Sequence, residues 1–153
     1  MEGIEVTEAR LSDKPVVRQL LELYGHDFSE FTDADVDAHG YFGYRYLDQY
    51  WTEAERRPFL FRVDGRWAGF ALVRIGDPHD MAEFFVLRKY RRRGIGITAA
   101  QEVFARFEGN WQVRQMAANT GATIFWRRAI PWAFEEEATD HGPVQRFAVE
   151  RES

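Results

Sequence analysis

Residues 84–107 place an apolar run, a burst of cations, a glycine turn and a helix-forming segment in immediate succession. Phe84-Phe85-Val86-Leu87 leads into Arg88-Lys89-Tyr90-Arg91-Arg92-Arg93, then Gly94-Ile95-Gly96, then Ile97 to Phe107. A strand that feeds a glycine turn at a helix start is a cradle for an anion. The first amides of a helix lack intrahelical acceptors, point the same way and sit at the positive end of the helix dipole. Glycine lets a bulky anion reach the backbone without meeting a Cβ.

The context decides which anion. A P-loop requires Lys followed by Ser or Thr after its last glycine, whereas Gly96 is followed by Ile97-Thr98. A dinucleotide fingerprint requires a third small residue, which Ala99 supplies, and an acidic ribose ligand about 20 residues on, which is missing. Arg91-Arg92-Arg93-Gly94-Ile95-Gly96 fits the pattern (Gln/Arg)-x-x-Gly-x-(Gly/Ala). A second pattern follows downstream, Asn119-x-x-Ala122-x-x-Phe125-Trp126. Together, at this separation, the two segments resemble the GNAT acetyltransferase family, whose pyrophosphate signature the first matches.

Composition bounds the alternatives. The 153 residues suit one domain, expected over 1–153, and the 45% hydrophobic content supplies a core. No apolar run is long enough for a membrane span. The N-terminus carries no signal-peptide pattern, so the expected location is cytoplasmic. There is no Cys, which removes a Cys nucleophile, a disulfide framework and thiolate metal sites. His26, His39, His79 and His141 show no metal-ligand spacing, so no metal is expected. Net charge is −5, which argues against nucleic acid as the main partner. All but Lys14 and Lys89 of the 20 basic residues are Arg, whose fork suits phosphate oxygens. The run Arg88–Arg93 therefore reads as a local anion site.

The hydrophobic pattern predicts a strand over 4–10 and a helix capped by Ser12, with Val16, Val17, Leu20, Leu21 and Tyr24 on one stripe. Residues 25–35 read as a polar turn region, and 40–51 as a second helical or irregular segment. Strands follow at 59–63 and 67–75 around an Asp64-Gly65 hairpin turn. The pattern then gives a strand over 81–87, a helix over 97–107, a strand over 111–117 and a helix over 122–129. A last hairpin spans 134–139 and 145–150. The order β-α-α-β-β-β-α-β-α-β-β matches the family. It implies an α/β (α+β) GNAT fold: a mixed, mostly antiparallel sheet flanked by helices, with splayed parallel fourth and fifth strands.

The resemblance also implies roles. Acetyl-CoA would lie between the fourth and fifth strands, its pyrophosphate held by Arg91, Arg92, Arg93, Gly94, Ile95, Gly96, Ile97 and Thr98. The strand end Phe85, Val86 and Leu87 would pair its backbone with the pantetheine amides, and one of its amides would hold the thioester oxygen. Asn119, Phe125 and Trp126 would complete the cofactor wall, with Asn119 equally suited to cap the following helix. Glu83 occupies a position that is acidic in many members and is the general base in some; a substrate-ammonium anchor or an exposed strand residue are the other readings. Tyr24, Asp27 and Glu30 fall where the family lines its acceptor, and acidic and aromatic groups suit an amine. Trp126 departs from the family, where many members have a Tyr that protonates the departing thiolate. Indole N–H is only a hydrogen-bond donor, so Tyr24, Tyr41, Tyr44 and Tyr46 become candidates for that proton.

The expected activity is N-acetyl transfer from acetyl-CoA to a small primary amine by direct attack. Trp126 keeps a second reading open, a non-catalytic acyl-CoA-binding or sensor protein. A nucleic-acid module built on Arg88–Arg93 is the third. A homodimer is also left open, with Trp111, Trp132 and Phe134 either at its edge or in the core.

Overall fold

The computed structural model describes residues 3–150, so the outermost positions of the expected 1–153 domain lie outside the described residues. Seven strands form one sheet in the order β1-β2-β3-β4-β5-β7-β6. They are β1 (Ile4–Glu8), β2 (Arg56–Val63), β3 (Arg66–Arg74), β4 (His79–Val86), β5 (Gly109–Arg114), β6 (Glu135–Thr139) and β7 (Gly142–Val149). The helices are α1 (Lys14–Thr32), α2 (Ile95–Ala105) and α3 (Thr120–Ala129). Every neighbouring pair is antiparallel except β4 and β5.

Apolar alternation builds two cores, one on each face of the sheet. Phe59, Phe61, Ala71, Val73 and Val86 face α2 and α3, where Ala100, Val103, Phe104 and Trp126 meet them. Leu60, Phe70, Leu72 and Phe85 face the other way, onto Val17, Leu20 and Leu21 of α1. Successive side chains of a strand point to opposite faces. A strand buried on both faces therefore reads as a continuous apolar run, as Pro58–Phe61 and Ala68–Val73 do. Each fully buried Phe or Leu contributes about 1.5–3 kcal/mol, so the central strands anchor the sheet. Trp111 is fully buried, and Phe147 lies between it and Trp132 in near-parallel stacking at 6.5 and 5.8 Å. Trp111 is thus core rather than a dimer edge, and Trp132 and Phe134 are half-buried against the same cluster.

One expectation is corrected on the α1 side, and one left open is decided. The first helix does not stop at Gly25 but runs on to Thr32, ending where Asp33 turns left-handed at φ 55°. A Cβ on Gly25 would sit 2.9 Å from Phe42 Cβ, so the glycine, at a cost of about 1 kcal/mol to the helix, lets the following loop pack against it. The extension turns Asp27, Phe28 and Phe31 onto the face that carries Tyr24. The second helical segment is largely absent, since only Asp48–Trp51 makes a 3-10 turn. Side chains take the backbone donors that a helix would have used. Asp37 Oδ1 accepts from the amides of His39 (2.8 Å) and Tyr41 (3.0 Å), and Glu22 accepts from Phe42 (2.7 Å) and Gly43 (2.8 Å). The loop is thereby strapped to α1.

The parallel pair creates the cleft. β4 and β5 are in register only at His79–Trp111 and Asp80–Gln112. β4 then continues to Val86 without β5, and its register against β3 slips at Ala82: Met81 faces Val73 while Glu83 faces Leu72. Such a bulge bends a strand and increases its twist, which widens the gap.

Candidate active site

The gap opens into a cavity of about 1070 Å³. Its walls are the free edge of β4, the first turn of α2, the end of β5, one side of α3 and the last turns of α1. Strand ends and helix starts thus converge on one volume, with an anion-binding half and an acceptor half.

In the anion half, Arg92 (φ 63°) and Gly94 (φ 75°) are both left-handed, with Arg93 between them. Alternating handedness of this kind turns successive amides toward one point. The first hydrogen bond of α2 runs from Thr98 N to Gly94 O at 3.1 Å, so the amides of Ile95, Gly96 and Ile97 have no acceptor within the helix. The two glycines serve different ends. Nothing lies within 4 Å of a Cβ built on Gly94, which leaves the cradle mouth open. A Cβ on Gly96 would meet the Phe125 ring at 3.0 Å and Val86 Cγ2 at 3.5 Å, so Gly96 lets α2 close on α3 and β4. The Ile95 side chain is core.

The arginines divide by role. Arg91 faces away from the cradle: its Nε donates to Val86 O at 2.8 Å and its terminal nitrogen to Asp27 Oδ2 at 2.8 Å. Arg88 donates to Asp27 Oδ1 at 2.8 Å. Burial pushes the Asp27 carboxyl up, but the hydrogen bonds from Arg88 and Arg91 outweigh it and hold it below its ordinary value. Asp27, expected on the acceptor side, spends both oxygens tying α1 to the cradle loop. Arg93 bends back to Lys89 O at 3.4 Å and over the Tyr90 ring. Arg92 and, from α3, Arg128 line the cavity with side chains that can meet phosphate.

On β4, the Leu87 amide donates to Ala68 O at 2.8 Å and is not available to a ligand. Backbone polarity alternates along an antiparallel strand, so the main-chain groups of Phe84 and the Val86 amide face the gap, the Val86 carbonyl being taken by Arg91. Phe85 points its ring into the α1-side core. Asn119 caps α3, its Oδ1 accepting from Ala122 N at 3.1 Å, and also lines the cavity. Trp126 is buried, edge-on to Phe84 at 5.0 Å and packed on Phe104. It is a wall of the cleft and part of the core at once.

The acceptor half centres on Glu83. Tyr24 donates its hydroxyl to Glu83 Oε1 at 2.9 Å, and Tyr44, on the strapped loop, is near enough to bear on the same carboxyl's pKa. Burial raises the Glu83 pKa, opposed by the hydrogen bonds from Tyr24 and Tyr44; the charge of Asp80 raises it further and that of Arg114 lowers it. Burial, with the adjoining Glu83 charge, also raises both tyrosines, so they stay neutral donors. Glu30 sits exposed at the rim. Phe31, Arg114, Gln115, Met116, Arg128 and His141 line the cavity without having been singled out from sequence. Phe31 was legible as the seventh residue after Tyr24 had α1 been extended; the others lie on strand and turn ends that only the splay brings together. Among the described residues no cluster of three metal-ligating side chains occurs, and no helix is long and apolar enough to cross a membrane.

The sheet splits at its parallel pair, with the glycine turn beside the split and the partly buried Glu83 carboxylate in the same cavity. The sequence pattern of the acetyltransferase (GNAT) family matches residues 17–141, and the chain belongs to that family. Solved structures agree on the fold. A GNAT-family acetyltransferase from Streptococcus agalactiae superposes with a TM-score of 0.74 at 12% identity, covering 97% of each chain. The PaiA N-acetyltransferase of Thermoplasma acidophilum, solved in complex with coenzyme A, gives 0.67 at 12% identity over 96% of this chain and 99% of its own. The ribosomal-protein-S18-alanine N-acetyltransferase of Escherichia coli gives 0.67 at 14% identity over 99% and 97%. The sequence has no significant match among curated proteins.

Proposed function

We propose that the protein transfers an acetyl group from acetyl-CoA to the primary amine of a small molecule. The observation that carries this reading is the Glu83–Tyr24 pair, at 2.9 Å, in the same cavity as the open cradle at Gly94. The donor set fits the cofactor: converging amides with no internal acceptor, an unobstructed mouth and the guanidiniums of Arg92 and Arg128 suit phosphates. Acetyl-CoA, when bound, supplies an activated thioester. The amides of Ile95, Gly96 and Ile97 would hold its pyrophosphate, and the main-chain groups of Phe84 with the Val86 amide its pantetheine arm.

The chain's own chemistry follows from Glu83. An ammonium must lose a proton before its nitrogen can attack, and a carboxylate whose pKa is raised by burial is a stronger base than an exposed one. Tyr24 and Tyr44 hold that carboxylate in place. Direct transfer is favoured because the sequence contains no Cys to carry the acyl group. Trp126 cannot return a proton to the leaving sulfur. Its burial where many relatives carry Tyr supports the second reading, an acyl-CoA binder without turnover.

Calorimetric titration with acetyl-CoA, beside Gly94→Glu, tests the cradle. A Cβ there meets no atom within 4 Å, so the substitution brings a carboxylate to the mouth at a left-handed backbone cost of about 1–2 kcal/mol. Binding by the native protein and its loss in the variant is the expected result. Release of free thiol with an amine then separates transferase from binder. A native protein that does not bind acetyl-CoA refutes both.

A further inference from the structure

Phe28 and Phe31 are large apolar side chains that the fold does not use. Both are half-buried on α1 and line the cavity, and neither belongs to either hydrophobic core. They extend a row of rings that starts at Glu83. Tyr24 donates to Glu83, its ring lies 5.2 Å from Phe28, and Phe28 lies 5.9 Å from Phe31. Seven residues of helix separate the two ends, which at 1.5 Å per residue makes a wall about 10 Å long. Apolar surface of this extent facing a catalytic cleft gains only when a ligand covers it.

Charge narrows the ligand. The cavity lining holds the carboxylates of Asp27, Glu30 and Glu83 against four guanidiniums, Arg91, Arg92, Arg114 and Arg128. Asp27 is spent on Arg88 and Arg91, and Glu30 stands at the rim. Asp80 pairs with both Arg114 (2.7 Å) and Arg74 (3.3 Å), so Glu83 is the cavity carboxylate left for an ammonium. One ammonium therefore has a partner, at Glu83. A second would have to shed water onto phenyl rings, and the weak attraction of a ring face for a cation does not offset that loss.

We propose that the acceptor is a monocationic primary amine bearing an aromatic or branched apolar group, its ammonium at Glu83 and its apolar group on the Tyr24–Phe28–Phe31 wall. The inference rests on the amine-transfer reading and selects among its substrates.

The test measures thiol release from acetyl-CoA by the full chain with 2-phenylethylamine, ethylamine and spermidine. The expected kcat/KM for 2-phenylethylamine exceeds that of each of the other two by tenfold or more. Phe28→Ala and Phe31→Ala, outside both cores, should keep a native unfolding transition yet lower the phenylethylamine-to-ethylamine ratio about tenfold, mainly through KM; that factor is 1.4 kcal/mol. Preference for spermidine, or a ratio unchanged in both variants, overturns the inference. If no amine is turned over, the transfer reading fails, and calorimetry with 2-phenylethylamine in the presence of coenzyme A decides this one. Binding that both Ala variants weaken sustains it, and absence of binding overturns it.

Discussion

Replacing Glu83 by Gln separates chemistry from architecture. The amide keeps an oxygen where Tyr24 donates at 2.9 Å. The loss in hydrogen bonding is therefore at most one bond's net worth, about 0.5–1.5 kcal/mol. Against it stands a gain, because the raised pKa means that burial disfavours the charged carboxylate in the folded state. The sign follows from linkage. The stability that Glu83 contributes is fully present below its unfolded pKa and is lost as pH rises through its raised folded pKa. Gln has no such loss, so the stability of Glu83→Gln relative to the native protein should increase from acid to neutral pH. Activity should move the other way. Removing a general base costs typically about 10²–10⁴-fold, seen in kcat/KM with the chosen amine, while affinity for acetyl-CoA stays near native because Glu83 is remote from the cradle amides. Denaturant unfolding at pH 4 and pH 8, together with thiol-release kinetics, reads both effects. A variant that retains activity within threefold, or whose relative stability falls between pH 4 and pH 8, would refute the reasoning.

Two further outcomes follow from the ion pairs. Asp27→Asn removes the charge that holds Arg88 and Arg91, freeing the cradle loop from α1; the variant should lose about 1 kcal/mol of stability and raise the dissociation constant for acetyl-CoA several-fold by calorimetry. Glu136 on β6 accepts two hydrogen bonds from Arg127 of α3 and one from Gln145, and its carboxyl is lowered to about 2 by Arg127 first and Gln145 second. Its stabilising contribution is present above the ordinary carboxylate range and lost as pH falls toward 2, so the Glu136 carboxyl resonance in an NMR titration should stay unprotonated at pH 3.5.

The site was legible in the sequence wherever its parts are local. Arg91 to Gly96 declare an anion cradle because a strand end, left-handed glycine and a helix start must be contiguous in sequence to work. Asn119 and Ala122 declare a helix cap for the same reason, and the cap is formed at 3.1 Å. The acceptor side was legible only in part. Glu83 and Tyr24 lie 59 positions apart, and their hydrogen bond depends on α1 crossing the sheet. Residues 25–51 misled because Gly25 and a run of polar residues mimic a turn, while Phe42 and Glu22 supply the contacts that keep the helix going and the loop irregular.

The sequence by itself determined most element types, the two-sided burial of the central strands and the glycine turn at the start of α2, because periodicity and helix-end chemistry act over a few residues. The tertiary structure alone decided which cations are free. Arg91 and Arg88 look like phosphate ligands in sequence, but Asp27 reaches them from α1. It also decided that Tyr24, rather than any residue near Trp126, adjoins Glu83, and that Phe28 and Phe31 face a cavity instead of a core. Those facts depend on where β4 and β5 part, and that point is set by packing on both faces of the sheet.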